Sequence, residues 1–196
     1  MPVTWLPPVH ERWLFDFLFG AHPGVSILFG TDEDRARADT LLEAHRLGVK
    51  TAVDYLEAEG CYGWFSEIAS DLGSHLRTSV TEHIESSEGH PYIHTHVLVS
   101  SHVPLATDRP ESGMPAGYLV PIVQDVLLGA WMVAGPRYLG TLEGELVRSY
   151  GFGFEDTDAL PGRTLLGIPE GLVARFTPTT CRSEIRQKVA TWRGDQ

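Results

Sequence analysis

At 196 residues the chain is long enough for one hydrophobic core burying roughly 70% of the unfolded surface, so a single domain over 1–196 is expected. Hydrophobic residues at 42% and charged residues at 21% exclude a disordered or collagenous chain. Fifteen Lys and Arg against 26 Asp and Glu give a formal charge of −11, so the average field repels phosphate and any nucleic-acid contact must be local.

Two cysteines, Cys61 and Cys181, do not make a disulfide framework. Each reads as a small core residue, and a reducing cytoplasm is the simplest compartment. The opening "MPVTWLPPVHERW" lacks a basic stretch leading into a long apolar run, and no window reaches about 18 uninterrupted apolar residues. Neither export nor a membrane span is expected.

Residues 13 to 20, "WLFDFLFG", alternate so that Phe15, Phe17 and Phe19 share one face of a strand and Asp16 takes the other. "AHPGVS" then turns the chain at Pro23-Gly24, and "SILFG" continues ordered structure towards the core. Thr31, three residues before Asp34, is expected to cap a long helix over 32–59, with Leu41, Leu42, Leu47, Ala52, Tyr55 and Leu56 at helical spacing and Gly60 as its stop. "HLRTSVTEH" (75–83) and "YIHTHVLVS" (92–100) alternate and form an antiparallel hairpin. After a Pro and Gly loop, a helix is expected over 118–134; Gly135-Pro136 interrupts it, and helical spacing resumes up to Gly151. The C-terminal stretch suggests a short strand, a short helix after Pro169 and a terminal helix after Pro178. The fold class is therefore α+β in two layers, an antiparallel sheet backed by helices.

Four of the nine histidines fall in "GHPYIHTHVLVSSHV". Residues two apart on a strand point the same way, so His94 and His96 project from one face with Thr95 on the other. Two such rings can bind one cation, although partly buried histidines often only donate to a backbone carbonyl. His83, on the preceding strand, can supply a third nitrogen and leave coordination positions open for water or a substrate oxygen. Three imidazoles suit Zn, Ni, Mn or Fe.

The stretch "HIESSEGHPYIHTHVLV" resembles the third motif of the conjugative relaxases of the TrwC/TraI (MobF) type, members of the HUH endonuclease superfamily, in which a histidine precedes "DPQLHTH" at this spacing. The resemblance puts His83, His94 and His96 on the family's three metal ligands, and Ser86 and Pro91 on further motif positions. "FDFLFGAHPGVSILFG" is similar to the family's "FDLTFSAPKSVS", which puts Asp16 on an aspartate of the active site, there to accept the nucleophile's proton, the alternative being a carboxylate that caps a neighbouring loop. The long helix ending "AVDYLEAEG", then "LVRSYGFGFE" and "LLGIPEGLVARF", follow in family order, so the likeness covers nearly the whole chain.

The resemblance implies a domain that cuts and rejoins one DNA strand through a 5′-phosphotyrosine in plasmid or mobile-element processing, with Mg or Mn as the favoured cation and single-stranded DNA as the partner. Five departures qualify this. The family tyrosines precede the segment matching "FDLTFS", whereas the fifteen residues before Asp16 contain no tyrosine. Tyr92, which shares a strand face with His94, replaces a family glutamine and is the internal candidate for nucleophile, the alternatives being packing beside the site or a tyrosine from a partner chain. The family's Pro-Lys-Ser becomes His22-Pro23-Gly24, and the arginine after the motif serine becomes Ser87. His90 stands where the motif has aspartate and reads as a loop residue, the alternative being an extra ligand, while His22, His75 and His102 read as structural or solvent-facing. Two further functions remain open: a catalytically degenerate relative that binds DNA or a partner, and a metal phosphodiesterase that uses water instead of tyrosine.

Overall fold

The computed structural model describes residues 13–65, 68–71, 75–106, 114–156 and 163–176. Its central sheet has three antiparallel strands, β1 (Trp13–Gly20), β4 (Thr78–Glu85) and β5 (Pro91–Ser100), in the order β1-β5-β4. The register pairs Phe15 with Val99, Phe17 with Val97 and Phe19 with Thr95, which gathers the aromatic side of β1 and the β-branched side of β5 on one face. The opposite face carries Asp16, Leu18 and Gly20 beside Leu98, His96 and His94. A one-residue slip of β5 would exchange these two sets, so burial of the apolar set specifies the register.

Two long helices cover the apolar face: α2 (Arg35–Gly60) and α3 (Gln124–Tyr150), each about 40 Å long at 1.5 Å per residue. Leu41, Ala44, Ala52 and Leu56 of α2 meet Leu127, Ala134, Leu142 and Leu146 of α3 in the core. Complete burial of each large side chain in this set contributes roughly 1.5–3 kcal/mol. Trp131 of α3 joins the layers, its ring stacked 4.5 Å from that of Phe17 and edge-on at 5.0 Å to Phe19. Cys61, at the end of α2, is buried in this core.

Several elements differ from the sequence reading. The segment after Gly20 is a helix, α1 (Pro23–Thr31), because Pro23 at its first positions has the backbone angle a helix start needs and no N–H to lose. Thr31 ends α1, its hydroxyl donating to the Ile27 carbonyl at 2.8 Å. The cap of α2 is instead Asp34, whose carboxylate accepts from the N–H groups of Ala36 and Arg37. Residues 118–123 do not start α3: Leu119–Pro121 form β7, paired with β6 (His102–Pro104). Pro136 does not interrupt α3. It lies on the exposed side of the helix, so the Met132 carbonyl that loses its partner faces water.

Three short pieces complete the described structure. A hairpin of β2 (Tyr62–Phe65) and β3 (Ile68–Asp71) follows α2; the sequence reading gave it no element, because two four-residue strands carry too little alternation to register. β8 (Phe154–Asp156) pairs with β9 (Arg163–Leu165), and α4 (Glu170–Phe176) follows Pro169. The expected helix after Pro178 and Cys181 lie outside the described residues. No helix among the described residues is long and apolar enough to cross a membrane.

Candidate metal centre

His83, His94 and His96 meet on the open face of the sheet. The register places His83 of β4 directly opposite His94 of β5, with His96 two residues further on. Each ring offers one nitrogen, and the three nitrogens lie within 4.8 Å of one another. Donors bound at about 2.1 Å around a small cation lie roughly 3.0–3.5 Å apart, so small ring rotations bring all three to one ion. The His83 and His94 rings are nearly parallel with centroids 5.1 Å apart, and His96 stands edge-on to both.

Hydrogen bonds select which nitrogen faces the centre. His94 donates from Nδ1 to the Tyr92 carbonyl at 2.9 Å, and His96 donates from Nδ1 to both carboxylate oxygens of Asp16, each at 2.9 Å. Both rings therefore turn Nε2, the nitrogen left free of these bonds, towards the centre, and the carboxylate orients the His96 ring. Burial pushes the His94 imidazole below its ordinary range, and the approach of His96 and His83 acts in the same direction, against the carbonyl bond to Tyr92. This keeps His94 neutral at physiological pH. A three-imidazole set with two Nδ1 positions already occupied has the chemistry of a divalent-cation site. Asp16, expected as a proton acceptor, has both carboxylate oxygens on His96 Nδ1.

Tyr92 stacks on the far side of His94, ring centroids 4.4 Å apart at 19°. Gly20 makes room for it: a Cβ there would lie 2.5 Å from the Tyr92 hydroxyl. The ring thus closes one flank of His94, and its hydroxyl reaches across to β1.

The other histidines have separate partners. His90 sits in the β4–β5 turn that Ser86 organises by accepting the N–H groups of Glu88 and His90. His75 lies 3.2 Å from the Glu57 carboxylate, and His102 bonds Ser101 at 2.8 Å. His22 is buried, its Nε2 donating to Glu143 at 2.8 Å, while the other Glu143 oxygen pairs with Arg163. Burial outweighs the Glu143 carboxylate and lowers the His22 value, and its Nδ1 has no partner among the described residues. His45, which the sequence reading passed over, is buried directly behind β5; its signal was a histidine on the apolar stripe of α2, one turn after Leu41.

Several of the described basic side chains are paired with carboxylates. Arg46 pairs with Glu43 and Glu82, Arg37 with Asp32, Lys50 with Asp54, Arg148 with Glu145, and Arg163 with Glu143 and Asp156.

An antiparallel sheet with a His-x-His strand, a third histidine on its neighbour and an aspartate behind, backed by helices, defines an α+β domain of the HUH type. The chain belongs to the TrwC relaxase family, whose model matches residues 5–196. The fold is similar to that of the conjugative relaxase TrwC solved in complex with OriT DNA. The metal-free complex has a TM-score of 0.63 at 19% identity, over 91% of this chain and 58% of that one. The metal-bound complex has 0.63 at 19%, over 92% and 56%, and the complex with a 27-mer carrying the recognition hairpin and cleavage site has 0.63 at 20%, over 91% and 58%. The chain thus spans less than three fifths of the length of these solved chains. No curated protein matches its sequence.

Proposed function

We propose that this chain is a divalent-cation-dependent domain that cuts and rejoins single-stranded DNA in the processing of plasmids or other mobile elements, with His83, His94 and His96 as ligands. The observation that carries the reading is the convergence of three imidazole nitrogens, with His94 and His96 oriented by the Tyr92 carbonyl and Asp16. When bound, the cation polarises a non-bridging phosphate oxygen and stabilises the charge that develops on it. The protein's part is to hold the Nδ1 protons of His94 and His96 away from the centre, so that each ring turns Nε2 towards the cation, and to leave the outer side of the sheet open to a strand of DNA.

Three sources of the attacking oxygen fit this site: Tyr92, a tyrosine from a partner chain, and water. The stack of Tyr92 on His94 and its hydroxyl over Gly20 favour a packing role, and hence an external nucleophile. Incubation of the chain with Mn²⁺ and a pool of single-stranded oligonucleotides, read on a denaturing gel and by mass spectrometry, tests the reading. A nicked product that His83→Ala abolishes supports it. A protein–DNA adduct lost in Tyr92→Phe assigns the nucleophile to Tyr92, and cleavage without adduct moves the reading to metal-bound water as the attacking species. Metal binding without any cleavage overturns the catalytic reading.

That last outcome would favour a second reading, a catalytically degenerate domain that binds DNA or a partner. The net charge of −11 motivates it, since the average field repels phosphate, and among the described residues Arg46, Lys50, Arg148 and Arg163 are already paired with carboxylates.

A further inference from the structure

The pleat that turns His94 and His96 outward turns Thr95 inward, and three buried polar groups meet there. Thr95 Oγ1 lies 2.7 Å from His45 Nε2, and His45 Nδ1 lies 2.8 Å from the Tyr138 hydroxyl. His45 is 0% exposed, and Thr95 and Tyr138 are 2% exposed each. The chain of bonds runs from the middle residue of His94-Thr95-His96 through α2 to α3. Gly48 permits it, because a Cβ there would lie 2.8 Å from the Tyr138 ring and 2.9 Å from its carbonyl oxygen.

The next residue of α2 makes a parallel tie. Arg46 grips Glu82 with two bonds, Nε to Oε2 at 2.9 Å and Nη2 to Oε1 at 2.8 Å. Glu82 is the register partner of Thr95 and immediately precedes His83. Consecutive residues of one helix therefore hold both ligand-bearing strands from behind, one between two ligands and the other beside the third.

Packing alone does not ask for this. Ile93 and Val97, two residues either side of Thr95 on the same face, are 0% exposed and purely apolar. Replacing both partners of a buried hydrogen bond by apolar groups of similar shape is close to neutral for stability, whereas directional bonds select one arrangement. Ladder bonds fix β5 along and across the sheet, yet β4 is the outer strand of the three and its pairing shifts between His83 and Glu85. The bonds from α2 act perpendicular to the sheet, where the ladder is soft.

We infer that His45 is a positioning residue for the cation: through Thr95 it pins the strand between His94 and His96 to the helix layer, so that both outward imidazoles stay aimed at one point. The inference rests on the reading that the three histidines bind a divalent cation. Burial supports it by pushing His45 down to about 4, so the ring is neutral and donates through one nitrogen while accepting through the other.

Mn²⁺ titration of the full chain by calorimetry, with metal-free melting as the control, tests it. Thr95→Val is expected to weaken Mn²⁺ binding about tenfold, and Thr95→Ser, which keeps the hydroxyl, to stay within about twofold of the parent. Thr95→Val combined with His45→Leu and Tyr138→Phe removes all three partners; its melting is expected to recover relative to Thr95→Val while Mn²⁺ binding stays weak. If affinity recovers together with melting, or if Thr95→Val binds like the parent while His94→Ala does not bind, His45 is structural only and the inference fails. If His94→Ala binds Mn²⁺ as the parent does, the cation site itself is elsewhere, and both readings fall.

Discussion

The two faces of β5 use the same side chain for opposite purposes. On the open face, His94 and His96 each have Nδ1 occupied and Nε2 directed at the third histidine. On the buried face, His45 has both nitrogens bonded, to Thr95 and to Tyr138. An imidazole with one nitrogen committed is prepared to ligate; one with both committed is a structural crosslink. The difference lies in the partners and not in the residue type, so losses on the open face should cost metal affinity without fold, and losses on the buried face should cost fold together with a smaller part of the metal affinity.

The largest expected effect is on the open face. His94→Ala or His96→Ala should weaken Mn²⁺ binding by more than about a hundredfold, measured calorimetrically, with little change in metal-free melting. A melting loss as large as that of a core truncation would break the comparison, because it would make the rings part of the fold. Asp16→Ala comes next: the carboxylate is half-exposed and orients one ring only, so a decrease in Mn²⁺ affinity of about 10- to 100-fold is expected. An unchanged affinity would mean that His96 needs no carboxylate to present Nε2.

The buried face is tested by pH. His45 is held at about 4, below the ordinary 6.5, so the unfolded chain takes up its proton first as the pH falls. The stability it contributes is fully present above pH 6.5 and is lost between 6.5 and about 4, roughly 3 kcal/mol in all. His22, also lowered by burial, acts in the same direction. Metal-free melting should therefore decline over this window, and His45→Gln should flatten the decline without abolishing it; an identical slope in the variant would show that His45 is not buried neutral. The smallest effect marks the outer surface of α2. Lys50→Ala removes an exposed pair with Asp54 and should alter stability by less than about 0.5 kcal/mol and leave Mn²⁺ binding unchanged.

Much of this organisation was legible in the residues. Alternation in "WLFDFLFG" and "YIHTHVLVS" placed Asp16, His94 and His96 on polar faces, because a strand has a period of two whatever it packs against. The apolar stripe of α2 was legible for the same reason at a period of 3.6, and so was the stop of α3 at Gly151. Capping was less so: Thr31 and Asp34 are both good caps, and only the end of α1 at Thr31 assigned the role to Asp34. Pro136 reads as a breaker in one dimension, yet it is tolerated because it faces water.

What the amino-acid sequence determined by itself is local and periodic: which elements form, which side of each is apolar, and which three histidines share the spacing of a known motif. What only the tertiary structure decided is pairing across distance. Nothing in the order of residues indicates that Asp16 would turn both oxygens to His96, 80 positions away, or that His45 would meet Thr95 and Tyr138. Hydrogen-bond partners are fixed by the packing of sheet on helix, and that packing in turn selects the tautomer of each ring. The sequence supplies imidazoles, and the fold decides which nitrogen each one shows.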